Sequence, residues 1–414
     1  MKIIHFSLEF YPGSGGTASR IWHLIEGDKN RHRLIIPPPP EAIVSRWRSL
    51  AREKSITVEE RPFISDADFR VRVPVIRRFL KLFINAKKTV QYFPPGWPDL
   101  IHAHSPLDFC WGGRKCSLRY GLPLIYEAHI PFVDEVVYPG EKFSSAFLNR
   151  LVQPVVSGLE SKVIREAAFT IVQTEAAKKR LERVYQKVHP VIEVIPNGVD
   201  VERFKPDGNS ELRKQIRRRP GWGEKNLVLY SGGFYALNGV DFLCSLIPRL
   251  PRELKKNTGW LFAGHGPLEG LVDKTCGKYP EFCRSLGEIG FEKMPDLYET
   301  ADLFVIPRPS LAATETLTPL KLLEALSMEK IVLGSDVGGV KEVIEDGVNG
   351  FLYRKGDERD FIGRLSWILS NLSNLSRIGK EGRKTVEKNF NWESSRKKLS
   401  RLYRKIEQNH KIHY

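Results

Sequence analysis

Short runs of β-branched and aromatic residues alternate along the chain with stretches whose apolar positions recur at helical spacing. In the first half the runs are "IIHF", "RLIIP", "DLIHAH", "PLIYEA", "FTIVQ" and "IEVIP"; in the second they are "NLVLY", "WLFAG", "ADLFVIP", "KIVLGS" and "GFLYR". Strand and helix alternation of this length predicts parallel sheets with right-handed crossovers, and two such series predict an α/β protein of two doubly wound, Rossmann-like domains. Between Asn197 and Pro220 the apolar period fades and Gly, Pro and charge accumulate. The expected division is therefore an N-terminal domain over 1–200, a linker over 201–220, and a C-terminal domain over 221–388. If the two sheets face each other, the carboxyl ends of their strands line a shared cleft, so residues just after strands are the candidates for chemistry.

Composition narrows this picture. A chain of 414 residues with 41% hydrophobic content can bury two cores. The start, "MKIIHFSLEFYPG", has an apolar run too short for a secretory leader, and no run approaches a membrane span. Five scattered cysteines with no CxxC spacing point to reduced thiols, no structural zinc and a cytoplasmic setting. The net charge of +16 raises the question of nucleic acid, yet no nucleic-acid-binding motif is present, so that partner is not expected. The charge is concentrated in "RVRVPVIRRFLKLFINAKKTV", Arg70 to Val90, which has seven basic residues and no acid. Val75, Ile76, Phe79, Leu80, Phe83 and Ile84 fall at helical spacing there. Such a helix can lie on an anionic membrane surface, or pack on a core and solvate its charged face.

The stretch "YSGGFYALNGVDFL", Tyr230 to Leu243, reads as the end of a strand, a tight turn and a helix start, a common place for phosphate. It contains no lysine or arginine. An anion bound here needs a cation from elsewhere, because an uncompensated buried charge is costly.

Several segments resemble the family-4 glycosyltransferases of GT-B fold: "YPGSGGTASR", "VIPNGVDVERFKP", "MPDLYETADLFVIPR", "TPLKLLEALSMEKIVLGSDVGGVKEVIEDGVNGFLY", and "NFNWESSRKKLSRLY". They occur in the family's order over almost the whole chain. The loop "SGGFYALNG", the helix "PLKLLEALS", "HAHSPLDF" and "YEAH" are similar to an exopolysaccharide and sortase-associated subgroup. The resemblance implies that residues 389–414 form a closing helix that crosses back to the N-terminal domain.

It also implies roles for individual residues. Most members carry an Arg and a Lys in the loop, aimed at the donor diphosphate; Gly233 and Asn238 occupy those positions here, beside Gly232. Lys321, at the start of the helix in "TPLKLLEA" with Thr318 and Pro319 before it, is the expected substitute, and Arg308 after "LFVIP" is the second candidate. Glu324 matches the glutamate that accepts hydrogen bonds from the donor ribose. The first glutamate of that pair is replaced by Thr316, with Glu315 one place off. His129 matches the histidine that touches the transferring sugar, and His104 lies at a strand tip, while His102 reads as core. Gly264 and Gly266 in "GHGPLEG" allow close backbone approach to a ligand or form a plain turn. Gly15 and Gly16 follow the first strand as a phosphate or acceptor loop.

The implied activity is retaining transfer of a hexosyl group from a UDP- or GDP-linked nucleotide sugar to a carbohydrate or lipid-linked acceptor in polysaccharide synthesis, with no cofactor and no metal. The enzyme would be cytoplasmic, with the basic segment 70–90 bringing it to the inner face of the membrane. The rival readings are a same-fold phosphorylase or nucleotide-sugar epimerase, and a non-catalytic basic protein binding nucleic acid or membrane.

Overall fold

A computed structural model describes residues 1–8, 10, 16–38, 49, 51–65, 68, 74–130 and 146–411. The chain divides into two compact units, Met1–Pro196 with Trp392–Tyr414, and Asn197–Asn391.

The first unit is built on a parallel sheet of seven strands: β1 (Lys2–Phe6), β2 (Arg31–Ile36), β3 (Ile56–Glu60), β4 (Leu100–His104), β5 (Leu124–Glu127), β6 (Phe169–Val172) and β7 (Ile192–Val194). Their spatial order is β3-β2-β1-β4-β5-β6-β7, so the direction of winding reverses between β1 and β4. One apolar core contains Ile4, Phe6, Ile101, Ala103, Leu124 and Tyr126. The alternate residues of β1 and β4 include His5, His102 and His104, all buried. Strands buried on both faces ordinarily read as continuous apolar runs, so three buried histidines mark the sheet as unusual.

The second unit has six parallel strands: β8 (Asn226–Ser231), β9 (Thr258–Ala263), β10 (Cys283–Gly287), β11 (Leu303–Ile306), β12 (Ile331–Ser335) and β13 (Phe351–Tyr353), ordered β10-β9-β8-β11-β12-β13. Two apolar clusters cover its faces, one holding Val228, Tyr230 and Trp260, the other Leu227, Leu229 and Leu261. The winding reverses between β8 and β11, where β8 leads into the glycine loop.

Strands β3 and β10 were not legible as strands in the sequence. Both are sheet edges, where one side lacks a neighbour and the residues stay partly exposed, so "ITVEE" and "CRSLG" carry no apolar run. Residues 201–220, expected as a linker, pack inside the second unit. Ser210 caps the helix Glu211–Arg217 and also donates to Asp296 O, while Arg213 pairs with Asp302 at 2.6 Å. The final helix, Trp392–Lys411, belongs to the first unit. Trp392 stacks on His23, Arg396 reaches His23 O and Glu26, and Ser395 donates to Pro196 O.

The basic stretch forms the helix Pro74–Tyr92, and Arg70 to Val73 lie outside the described residues. Its buried seam is Leu82, Asn85, Ala86 and Thr89. Leu80 and Phe83 stand 41% and 48% exposed. The periodic apolar positions therefore do not all face the core. All five cysteines are free and buried, and among the described residues no helix is long and apolar enough to cross a membrane.

Candidate functional site

In the second unit the backbone leaves β8 through Gly232, whose φ of +118° few side chains tolerate. A Cβ there would meet Lys321 Nζ at 2.7 Å, so the missing side chain is the space the lysine occupies. Gly233 O accepts from both the Tyr230 hydroxyl and Asn238 Nδ2, at 3.0 and 2.9 Å. Asn238, in the place of the family's lysine, is thus a brace of the loop. Gly264 and Gly266 lie against this same turn: their missing Cβ atoms would strike Gly232 O at 2.1 Å and the Phe234 backbone at 2.9 Å. What approaches these two glycines closely is the 232–234 backbone.

Lys321 sits in the first turn of the helix Leu320–Ser327, whose N-cap is Pro319 and whose first turn has no acid. Its Nζ lies 4.7 Å over the Tyr230 ring, and no carboxylate of the described residues is within ion-pair distance. Burial first, and then the Arg308 cation, bring its ammonium down to about 7, against the pull of Glu324. Arg308 is buried and donates from Nη1 to Leu317 O at 2.9 Å. Two neighbouring cations at the positive end of a helix repel each other and the helix dipole, a combination that an anion relieves.

One turn on, Glu324 is half-buried and accepts from the Tyr298 hydroxyl at 2.7 Å. Thr316 is buried and its hydroxyl donates back to Ala312 O at 2.9 Å. Thr318 is buried, with its carbonyl accepting from Asn197 Nδ2. Glu315 accepts from Ser310, from Lys355 and from the Gly338 amide, and these partners hold its carboxyl below the usual range against the burial that raises it. The structure therefore gathers Gly232, Gly233, Asn238, Lys321 and Arg308 around one turn, with Glu324 next on the helix.

In the first unit His129 follows β5, 8% exposed, its backbone N–H donating to Ser105 Oγ. The Gln173 amide nitrogen lies 3.1 Å from its Nδ1. An amide nitrogen can only donate, so Nδ1 accepts and Nε2 carries the hydrogen. That Nε2 has no hydrogen-bond partner among the described residues. Burial, opposed by Glu127, lowers the ring to about 3 and keeps it neutral. His104 stacks on it at 5.5 Å. Gly16, exposed, opens the helix Gly16–Ile25, and Gly15 lies outside the described residues.

Several neighbours were not singled out from the sequence. Arg20 pairs with Glu127 at 2.5 Å, both fully buried, and His102 and His104 approach the other carboxylate oxygen at 2.9 and 3.3 Å. His102 also meets the Tyr403 hydroxyl at 2.9 Å. Two sets, His5 with His102 and His104, and His104 with Glu127 and His129, bring nitrogen and oxygen atoms within 4.8 Å of one another. Within these sets His5 Nδ1 and His104 Nε2 are hydrogen-bonded at 3.1 Å, whereas His102 Nε2, His104 Nδ1 and Glu127 Oε2 have no hydrogen-bond partner among the described residues. His102 and His104 were named from the sequence; for the others the signals were indirect, since Arg20 closes "YPGSGGTASR", Glu127 lies in "YEAH" and Tyr298 stands inside "MPDLYETADLFVIPR".

The fold is shared with solved proteins. Sucrose-phosphate synthase from Thermosynechococcus elongatus superposes with a TM-score of 0.79 over 99% of both chains at 18% identity. HepE of Anabaena, solved in complex with UDP-glucose, gives 0.71 over 98% of this chain and 100% of its own, at 16% identity. The family model for glycosyl transferases group 1 matches residues 225–371, and that for glycosyltransferase family 4 matches 14–203. The chain has the GT-B fold and carries segments that match glycosyltransferase models in both units. Among curated relatives, the chain is 29% identical over 307 residues to the sulfoquinovosyl transferase SQD2 of Arabidopsis thaliana, covering 73% of this chain and 56% of that protein's length. It is 25% identical to the putative glycosyltransferase EpsD of Bacillus subtilis, over 76% of this chain and 78% of that one. The residues around Gly232 and Lys321 belong to the group 1 segment of the chain, and those around His129 to the family 4 segment.

Proposed function

We propose that this chain is a glycosyltransferase that moves a hexosyl group, with retention at the anomeric carbon, from a UDP- or GDP-linked sugar to a carbohydrate or lipid-linked acceptor. The observation that carries this reading is Lys321: half-buried, with no carboxylate partner among the described residues, in the first turn of a helix, beside Arg308 and against Gly232. The leaving group of the reaction is a nucleoside diphosphate, and fixed cations plus helix N–H groups stabilise its charge as the glycosidic bond breaks. In this reading protein cations do that work, and no metal or cofactor is invoked. Glu324, held by Tyr298, accepts from the ribose hydroxyls. His129 presents Nε2–H to a hydroxyl of the transferring sugar.

Relatives support the donor class, since HepE was solved in complex with UDP-glucose, and the similarity to the putative glycosyltransferase EpsD supports glycosyl transfer. A thermal-shift panel of UDP-, GDP- and ADP-linked sugars tests the reading, because a ligand that binds only the folded state raises its stability. Stabilisation by one nucleotide sugar and not by its sugar 1-phosphate is the expected result. The opposite pattern indicates a phosphorylase.

The helix Pro74–Tyr92 supports work at the inner membrane face. Leu80 and Phe83 are exposed on a helix that also carries Arg77, Lys81 and Lys87, a pairing of apolar and cationic groups suited to an anionic bilayer surface.

A further inference from the structure

Cys276 and Cys283 meet in the second unit. Cys276 stands near the end of the helix Glu269–Lys278, Cys283 is the first residue of β10, and their Sγ atoms lie 3.1 Å apart. The local backbone fixes the meeting. Tyr279 N–H donates to Cys276 O at 3.2 Å and Cys283 N–H donates to Tyr279 O at 2.9 Å, so the chain leaves the helix and turns straight back along it.

A buried cysteine by itself is a small hydrophobe and inert. Two features set this pair apart. The sulfurs of a disulfide are about 2.05 Å apart, so these two have about 1 Å to close. Both residues also line a cavity of about 250 Å³, together with Arg219, Asp273 and Arg284. Arg219 and Asp273 are exposed, so the cavity reaches solvent. Cys244 belongs to the same apolar core, yet among the described residues it makes no hydrogen bond to either sulfur.

The two sulfurs are not equivalent. The hydrogen bond to Cys276, and then burial, hold the Cys283 thiol well above its usual range, so Cys283 keeps its hydrogen and directs it at Cys276. Cys276 accepts that hydrogen bond and is the more exposed, at 7% against 3%. A small reagent entering the cavity therefore reacts at Cys276, with Cys283 in place to follow.

We propose that Cys276 and Cys283 are a modification site, a dithiol that a peroxide oxidises to an intramolecular disulfide and a thiol reductant restores. The Cys276 sulfur attacks one oxygen of hydrogen peroxide, the O–O bond breaks, and a sulfenic acid forms with release of water. The Cys283 sulfur then attacks the Cys276 sulfur; the S–S bond forms, the S–O bond breaks, and the departing hydroxide takes the Cys283 hydrogen as a second water. Two thiols and one peroxide thus give one disulfide and two waters, the sulfurs losing the two electrons that the peroxide gains.

The bond acts on an edge of the sheet. Strand β10 pairs with β9 alone, and its register shifts between Ser285 and Gly287, so a link at Cys283 fastens a strand that has one neighbour. At its other end Gly287 O accepts from Gly264 N–H at 2.8 Å, and just before the helix Leu268 N–H donates to Phe234 O at 3.0 Å. Oxidation therefore braces both pieces of chain that support the glycine turn against Lys321. Any effect on the donor rests on the proposed diphosphate role of that turn; the disulfide does not.

Peptide mapping of the full chain tests the site. Trypsin cuts after Lys274, Lys278 and Arg284, so Cys276 and Cys283 leave in separate peptides, 275–278 and 279–284, which only a disulfide joins. Folded protein reduced with dithiothreitol is treated with hydrogen peroxide, cleared with catalase, unfolded in iodoacetamide and digested. The expected product is the joined pair of peptides, lighter than their sum by two hydrogens, with two of the five thiols lost to alkylation and both regained after dithiothreitol. Cys244→Ala should keep the link, and Cys276→Ala or Cys283→Ala should abolish it. Five alkylated thiols after peroxide overturn the proposal. So does oxidation of Cys276 to a sulfinic acid without the link, or a link made to Cys244. The wild-type map decides even if a variant fails to fold, and it decides whether or not any nucleotide sugar proves to be a substrate.

Discussion

The Tyr298 hydroxyl donates to Glu324 Oε2 at 2.7 Å and accepts from Ser231 Oγ at 3.3 Å, so the carboxylate is held from the strand end of β8 through a buried phenol. A ribose contact made by Glu324 is present before and during reaction. Glu324→Ala is therefore expected to raise the donor KM with little change in kcat. Tyr298→Phe removes one hydrogen bond, about 1 kcal/mol, and should raise the same KM by about fivefold. A folded Glu324→Ala enzyme with unchanged donor KM removes this glutamate from the donor site.

Lys321 and Asn238 flank the same turn, one against Gly232 and the other tied to Gly233. Lys321→Ala should lower turnover by about a hundredfold or more, the scale of losing one preorganised charge at a leaving group. Adding Asn238→Lys to that variant should recover part of the loss, and alone should gain little. Groups that share one partner behave non-additively. Simple additivity in steady-state kinetics would shift the role to Arg308.

The same lysine sets a pH dependence. Its ammonium is brought down to about 7 in the free protein by burial and by Arg308. Diphosphate binding favours the charged form, so nucleoside diphosphate affinity should be flat below about pH 7 and fall by up to about tenfold per pH unit above it. For stability the sign is opposite. The burden of burying the charged form is complete below about 7 and eases as pH rises from there towards the unfolded lysine value, so this group makes the ligand-free protein more stable with rising pH. Calorimetric titration of the diphosphate across this range, in wild type and Lys321→Ala, checks both the fall and its absence in the variant.

His129 presents an Nε2 with no hydrogen-bond partner among the described residues at the end of β5, and its Nδ1 is already engaged by Gln173. His129→Ala should reduce kcat strongly and leave binding of the bare nucleoside diphosphate nearly intact, because a contact to the transferring sugar is not made by the diphosphate. Equal losses of diphosphate affinity and kcat would place the ring elsewhere in the reaction.

Leu80 and Phe83 project from the helix Pro74–Tyr92 with basic residues around them. Sedimentation with vesicles containing phosphatidylserine or cardiolipin should capture the protein, weaken with salt, and fall in a Leu80→Ser, Phe83→Ser double variant. Each basic side chain near such a surface is worth about 1 kcal/mol within a Debye length. Capture by neutral vesicles alone excludes the electrostatic part.

The sequence by itself determined the two parallel sheets, because most buried central strands are apolar runs whatever surrounds them, and "NLVLY", "KIVLGS" and their like say so locally. It also marked the glycine turn and its missing cation, since charge and conformational freedom are properties of residue types. It did not determine the edge strands Ile56–Glu60 and Cys283–Gly287, which owe their pairing to a neighbour on one side only. Nor could it show that Leu80 and Phe83 leave the core, because a period gives an apolar stripe without saying which stripe packs. The largest gap is the cluster of His5, His32, His102, His104 and Glu127. Strand register and a helix whose Tyr403 reaches His102 from 301 residues away assemble it. Hydrogen bonding between residues so far apart in the chain is fixed only by tertiary packing, which is where a histidine in a strand ceases to be merely buried and gains a polar partner.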